Sequence, residues 1–319
     1  MLPNLSAKLP SHLALSAKPH LSLALSFLLG ICPQLSHAHS AAPYLLPEQF
    51  DSKNNSVSLQ SAITVEKFYS PNRNYQTRFF SITPDGTQQE IKPVASLERF
   101  TLLDLATAQN GTYRVKTADQ PSSVNDYALV EGRWLRVRTE RPTTTPATTT
   151  PPATATPAAS AEAGASATPR PRRFIYADEL PANAQKTKTE VIQLAETYLS
   201  KVAPSALAKP TGKGLELIPI THPNEIFASD GFEFMVQFDG KPVPKLELEL
   251  YRGAGAYDQD KTKDLGHVYT DEQGRAKLDF KDTAGVYLLF MQYPPAATDA
   301  SKQPPARVYN YGLTLQATP

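Results

Sequence analysis

Three histidines, His39, His222 and His267, follow an N-terminal apolar stretch and are the residues of this 319-residue chain best suited by type to metal chemistry. His39 comes directly after Ser36-His-Ala38, which places small residues at the −3 and −1 positions of a leader-cleavage site. Cleavage after Ala38 makes His39 the first residue, and its α-amine and imidazole then form a chelating pair. Nitrogen ligands of this kind suit Ni²⁺, Co²⁺ or Cu²⁺, with affinity rising along the Irving–Williams order. The match to a square-planar terminal chelate is partial, because Ala41 stands where a third-position histidine is wanted. His222 lies in Thr221-His-Pro-Asn224, and Pro223 restricts it to an extended backbone. It reads either as a metal ligand or as a loop histidine whose ring bonds fix the turn. His267 follows Gly266 at the start of a strand and reads most simply as a solvent-facing strand end. These three are the candidate metal ligands.

Other constellations are weaker. Asp258-x-Asp260-x-Thr262 spaces oxygen ligands as a calcium loop does, but Lys263 replaces the required glycine and Tyr269 the bidentate glutamate. Gly212-Lys-Gly214 lacks the rest of a phosphate loop and precedes a strand rather than a helix. Gly-x-Ser-x-Gly, His-Glu-x-x-His and Cys-His arrangements are absent, and Glu190 and Glu196 have no acidic partner spaced for glycoside hydrolysis. The expected activity is therefore binding, not catalysis. A copper-dependent oxidase-like enzyme built on His39, with His222 or His267 as its second histidine, is a minor alternative.

These residues must be positioned by strands. Across residues 209–293, short runs rich in Val, Leu, Phe and Tyr are separated by turn signals at Asp239-Gly240, Gln273-Gly274 and Ala284-Gly285. Residues 232–238 and 245–251 alternate apolar and polar, the period of half-buried antiparallel strands. The expected fold is all-β, with two immunoglobulin-like β-sandwich domains. A signal peptide covers 1–38, an N-terminal β domain 39–141, a disordered Thr/Pro/Ala linker 142–172, a connecting segment 173–210, and a C-terminal sandwich 211–319. The linker offers almost nothing beyond alanine to offset the entropy of ordering. Residues 190–202 fit one face of a helix, yet their Val, Ile, Thr and Tyr content favours a strand, the reading taken here.

Lys8, Lys18 and the apolar run 21–31 complete the features of a secretory leader, and the run is too short to span a bilayer. The single cysteine, Cys32, lies within it, so the processed chain has no thiol ligand and no disulfide. The formal net charge of +1 becomes −1 when the two leader lysines are lost. Such a mixed-sign surface offers no footprint for nucleic acid. The arginines at 133, 136, 138, 141, 170, 172 and 173 read as strand faces and a linker edge. The processed protein is expected to be exported and soluble.

The ordered signals Gly212-Lys-Gly-Leu-Glu-Leu217, Thr221-His-Pro-Asn224, Phe238-Asp-Gly-Lys-Pro-Val243, Thr270-Asp-Glu-Gln-Gly-Arg275 and Gly285-Val-Tyr-Leu-Leu289 resemble a bacterial periplasmic family. It is catalogued as domain of unknown function 4198 and is grouped with NikM-like components of cobalt and nickel uptake. Tyr44-Leu-Leu-Pro47, Thr83-Pro-Asp-Gly86, Gln109-Asn-Gly-Thr-Tyr113 and Glu131-Gly-Arg-Trp-Leu135 extend the resemblance through the first half. It implies an extended crossing segment between domains and a divalent cargo, Ni²⁺ or Co²⁺, passed to an inner-membrane metal importer. The alternative is a structural or interaction module partnering an outer-membrane TonB-dependent receptor.

Overall fold

Alternation becomes burial where the sequence is most regular. In the strand Phe232–Phe238, Phe232, Phe234 and Val236 are fully buried while Glu233 faces outward. In Glu247–Arg252, Leu248 and Leu250 point inward. The computed structural model describes residues 41–65, 71–139, 172–253 and 263–319. The expected leader, His39, nearly all of the 142–172 tract and the candidate calcium ligands Asp258 to Thr262 lie outside the described residues.

The first ten strands are β1 (Ala42–Pro47), β2 (Asp51–Ser52), β3 (Ser56–Thr64), β4 (Phe79–Ile82), β5 (Gln88–Ile91), β6 (Pro93–Ser96), β7 (Thr101–Ala106), β8 (Gly111–Thr117), β9 (Pro121–Val130) and β10 (Arg133–Arg138). Next come β11 (Phe174–Tyr176), a 3₁₀ turn (Ala177–Glu179) and β12 (Lys186–Lys201). The rest are β13 (Leu215–Pro219), β14 (Phe232–Phe238), β15 (Lys241–Pro242), β16 (Glu247–Arg252), β17 (Lys263–Tyr269), β18 (Arg275–Leu278), β19 (Gly285–Tyr293) and β20 (Arg307–Ala317). The described chain is all-β. One sheet runs β1-β3-β7-β6, and a second joins β13, β14, β15 and β18. Between them a 12-stranded sheet follows the path β11-β10-β9-β12-β20-β19-β16-β17, with β2, β4, β5 and β8 branching from it.

The stretch 173–210, read from sequence as a connector, supplies β12 at the centre of that sheet. Along its 16 residues, positions 191–201 are continuously buried. Ile192, Leu194 and Tyr198 pack into one core with residues of β13, β14, β16, β19 and β20. Ala195 and Leu199, on the opposite face, pack into a second core with β3, β4, β7 and β8. A strand covered on both faces has no reason to alternate, which is why its sequence also fits a helix face. A third cluster, Ala42, Tyr44, Ala62, Leu288 and Phe290, fastens β1 and β3 onto β19. The described residues form one compact unit.

Several motifs singled out by order turn out to tie loops together. Asp85 in the β4–β5 turn accepts from Thr83 Oγ1 at 2.6 Å, from the Thr87 amide at 2.9 Å and from Gln109 Nε2 at 2.8 Å. Tyr113 in turn donates its hydroxyl to the Gln109 carbonyl at 2.8 Å. Thr270 donates to the Val243 carbonyl and accepts from the Leu246 amide, at 2.7 and 2.8 Å. The hydrogen bonds to Asp85, from Thr83 first and then Gln109 and Thr87, hold its carboxyl below the usual carboxylate range. A depressed folded-state value stabilises the fold above the unfolded value of about 4, and this is lost as pH falls from there toward the folded value. A carboxyl ¹³C titration is expected to find Asp85 still ionised where other exposed aspartates have protonated. An ordinary midpoint near 4 would contradict this.

Candidate functional site

The most chemically dense place in the described chain lies where β8 and β9 part. On one edge of β12, residues 186–192 pair with β9 and residues 198–201 pair with β8. Residues 193–197 between them have no strand partner on that edge among the described residues. Thr117, at the end of β8, bridges the split. Its hydroxyl donates to the Gln193 carbonyl at 3.1 Å and accepts from the Ala195 amide at 2.9 Å. The parting leaves a cavity of about 70 Å³ lined by Arg114, Lys116, Asp119, Glu196, Glu216 and Tyr311, among others.

Alternation places the charges there. On β8, Tyr113 and Val115 enter the second core, so Arg114 and Lys116 face the other way. On β12, Glu196 shares a face with Leu194 and Tyr198 and is itself buried. Arg114 donates from Nε and Nη2 to the two oxygens of Glu196, both at 2.8 Å, with side-chain exposures of only 11% and 3%. A buried carboxylate is tolerated only when paired, and the two-pronged guanidinium fits it. Burial, the largest single influence, lowers the Arg114 pKa, but the charge and hydrogen bonds of Glu196 together with Tyr198 and Tyr311 outweigh it, and the net shift is upward. Burial first, and the Glu196 charge next, push the Tyr198 and Tyr311 phenols well above their ordinary value.

The other wall is the segment before β13. Buried Glu216 accepts from the Thr211 amide and hydroxyl, both at 2.9 Å, and from the Gly212 amide at 2.7 Å. This fixes the loop that carries Lys213. At Gly214, φ is +66°, a conformation that favours glycine, and a Cβ would lie 2.7 Å from Asp119 Oδ2, whose carboxylate would have to shift. Lys116 is half-buried, and no hydrogen-bond or ion-pair partner reaches its ammonium among the described residues. Burial first and Arg114 second lower its pKa, with Glu196, Glu216 and Asp119 acting against them. The Tyr311 hydroxyl is buried beside Glu196.

The histidines lie elsewhere. His39 is outside the described residues. His222 Nδ1 accepts from the Asn224 amide at 3.2 Å, so its proton sits on Nε2, which faces the Ser205 carbonyl at 3.0 Å and Thr112 Oγ1 at 3.3 Å. Asn224 adds bonds to the Tyr198 carbonyl and from Ser200, so the Thr-His-Pro-Asn loop is clamped onto β8 and β12. His267, on β17, places Nδ1 3.0 Å from Glu247 Oε1 across the β16–β17 pair. The hydrogen-bond neighbours of the two rings are different. No group of three or more His, Cys, Asp or Glu side chains is arranged for a metal ion among the described residues.

Replacing His222 by alanine is expected to cost about 1–2 kcal/mol, measured by urea unfolding, because it releases that loop. Micromolar Ni²⁺ should leave the His222 ring resonances unbroadened. Selective broadening there would mean that the ring exchanges its hydrogen bonds for metal.

Sequence reasoning passed over Arg114 and Lys116 and set Glu196 aside for want of an acidic partner. Its partner is basic and 82 residues away. The available signal was a lone glutamate inside the apolar run Val-Ile-Gln-Leu-Ala-Glu-Thr-Tyr-Leu, costly to bury unless paired.

A family model described as Domain of unknown function (DUF4198) matches residues 36–293. No curated protein matches the chain. Among solved structures, the D0-D1 domain of intimin is similar over 86% of this chain and 96% of its own, at 10% identity and a TM-score of 0.20. A DUF4785 family protein from Legionella pneumophila is similar over 84% of this chain and 54% of its own, at 8% identity and a TM-score of 0.21. A marsupial T cell receptor is similar over 87% and 71%, at 10% identity and a TM-score of 0.19. At these scores the likenesses carry no functional argument. No helix among the described residues is long and apolar enough to cross a membrane.

Proposed function

Since the chain belongs to the DUF4198 family, we propose that it is a non-catalytic binding protein of the bacterial periplasm, with the crevice between β8 and β9 as its binding site. One observation carries the reading. Lys116 lines the cavity with no hydrogen-bond or ion-pair partner among the described residues, while Glu196 and Glu216 beside it are each held by two or more hydrogen bonds. Polar groups left unmatched beside a cavity are the usual mark of a site that recognises a ligand. Binding is favoured over catalysis because Glu196 is committed to Arg114 and His222 to its loop. On this reading the cores on either side of β12 belong to two immunoglobulin-like sandwiches that share a strand, and residues 1–38 are the secretory leader. Nickel or cobalt cargo for an inner-membrane importer would have to rest on His39 and lies outside this reading.

The test is a screen of small anions, cations and zwitterions against the full chain by amide chemical shifts. Saturable shifts confined to β8, the centre of β12 and the 211–216 loop are expected. The reading fails if no compound moves those signals at millimolar concentration.

One observation favours a second reading, an interaction module for an envelope partner such as an outer-membrane receptor. β6 is the terminal strand of its sheet, with Val94 63% and neighbouring Leu97 51% exposed. Exposed strand edges accept partner strands. A photo-crosslinking side chain at Val94 should then capture one envelope protein in cells, and its failure to do so removes this reading.

A further inference from the structure

We infer that the gap between β9 and β10 docks an extended peptide segment with acidic side chains at alternate positions, held by Arg136, Arg138 and two open strand edges. The gap shares no lining residue with the crevice between β8 and β9, so the binding reading above stands or falls without it.

The two strands form a fork. They pair from Arg133↔Val130 to Arg136↔Tyr127 and then part. Beyond that point β10 stays with β11 through Arg138↔Tyr176, and β9 stays with β12 through Asn125↔Thr189. The opening has a volume of about 480 Å³ and is lined by residues 124–126 and 136–139. Two backbone bonds fix which groups face it. The Leu129 amide donates to the Gln185 carbonyl, just before β12, and the Arg136 amide to the Arg173 carbonyl, just before β11. Backbone groups alternate between the two edges of a strand. The amides and carbonyls of Val124 and Asp126, and those of Val137 and Thr139, therefore point into the gap. They have no strand partner there among the described residues. Unpaired strand edges accept an added strand.

Charge selects which strand. Register and alternation put Asn125, Tyr127, Arg136, Arg138, Phe174 and Tyr176 on one face of β9, β10 and β11, with no carboxylate among them. Arg136 and Arg138 are exposed, and no ion-pair partner reaches either among the described residues. The Arg138 guanidinium lies over the Phe174 ring, 4.0 Å from its centre, which steadies it and leaves its N–H groups for a carboxylate. The one acidic residue of the lining, Asp126, belongs to the opposite face of β9, where Lys188 stands 3.9 Å away. In the turn after β11, Glu179 is held by Arg172, and Asp178 is not free either. Two arginines at alternate positions of one strand match the side-chain period of a strand laid beside it. A sugar or nucleotide chain would use the charges but not the open backbone edges; an acidic peptide uses both.

The experiment titrates the full chain, followed by amide shifts, with end-blocked hexapeptides that alternate Glu with Thr or Lys with Thr. The acidic peptide should saturate shifts at Val124, Asp126, Val137 and Thr139 at millimolar concentration, and the basic one should not. Arg136→Gln with Arg138→Gln should weaken binding about fivefold or more, as the loss of two exposed ion pairs allows. Both side chains are exposed, so this variant should fold. Methyl groups on alternate peptide nitrogens should weaken binding about tenfold or more with the protein unchanged. Equal binding of the basic peptide, or full-strength binding by the double variant, overturns the selection by charge. Full-strength binding of the methylated peptide overturns the strand pairing. Saturation of these signals by trigalacturonate or an oligothymidylate, and by neither peptide, overturns the peptide class. Saturation by none of these compounds overturns the site.

Discussion

Replacing Arg114 by alanine is expected to lower folding stability by about 3–5 kcal/mol. The reason is the charge that remains. Glu196 sits between Leu194 and Tyr198 on a strand buried on both faces, and both its oxygens accept from Arg114 at 2.8 Å. Without the guanidinium, the carboxylate must draw in water or take up a proton, and either disturbs the core around Tyr198 and Tyr311. Urea unfolding at neutral pH measures the loss. A cost below about 1 kcal/mol would mean that solvent reaches Glu196 and that the pair behaves as a surface one.

The double substitution Arg114→Met with Glu196→Met separates stability from binding. Exchanging a buried ion pair for apolar groups of similar size is often neutral or stabilising. Most of the loss in Arg114→Ala should therefore be absent from the double variant. Its affinity for a ligand of the crevice should still change, because the lining loses both Arg114 and Glu196. A pair kept despite an apolar alternative has a role besides stability. Here it holds Arg114 opposite Tyr198 while β8 turns away from β12 to open the crevice.

β14 and β16 were legible in the sequence because each buries one face and exposes the other, so period-two alternation reports their environment directly. β12 was read as a strand from its residue content alone, because the two cores on its opposite faces erase the alternation. β9 hid for the opposite reason. In Pro-Ser-Ser-Val-Asn-Asp-Tyr most positions are exposed or half-exposed, and the strand is held by backbone pairing to β12 rather than by an apolar face. The site was harder still. His222 was visible by residue type, yet its ring nitrogens serve a loop. Arg114 and Glu196 come together only because β8 pairs with the end of β12, a contact between distant segments that no local pattern encodes.

The second large effect is expected at Gly312, where alanine should cost about 3 kcal/mol or more, at or beyond the usual range for overpacking. Gly312 lies in β20, opposite Ala195 of β12 and Phe290 of β19. A Cβ there would stand 1.8 Å from the carbonyl oxygen of Pro43 in β1 and 3.3 Å from Leu288 Cδ1. The nearer atom is backbone, so no rotamer change relieves the clash, and β1 itself must lift from the face of β19 and β20. That would pull Ala42 and Tyr44 out of their cluster with Leu288 and Phe290. Hydrogen exchange should therefore show β1 losing protection well before β14 in the variant, and urea unfolding should move to lower concentration. If Gly312→Ala unfolds within 1 kcal/mol of the parent and β1 keeps its protection, the seam between β1 and β20 is not the close backbone approach that fixes glycine at this position.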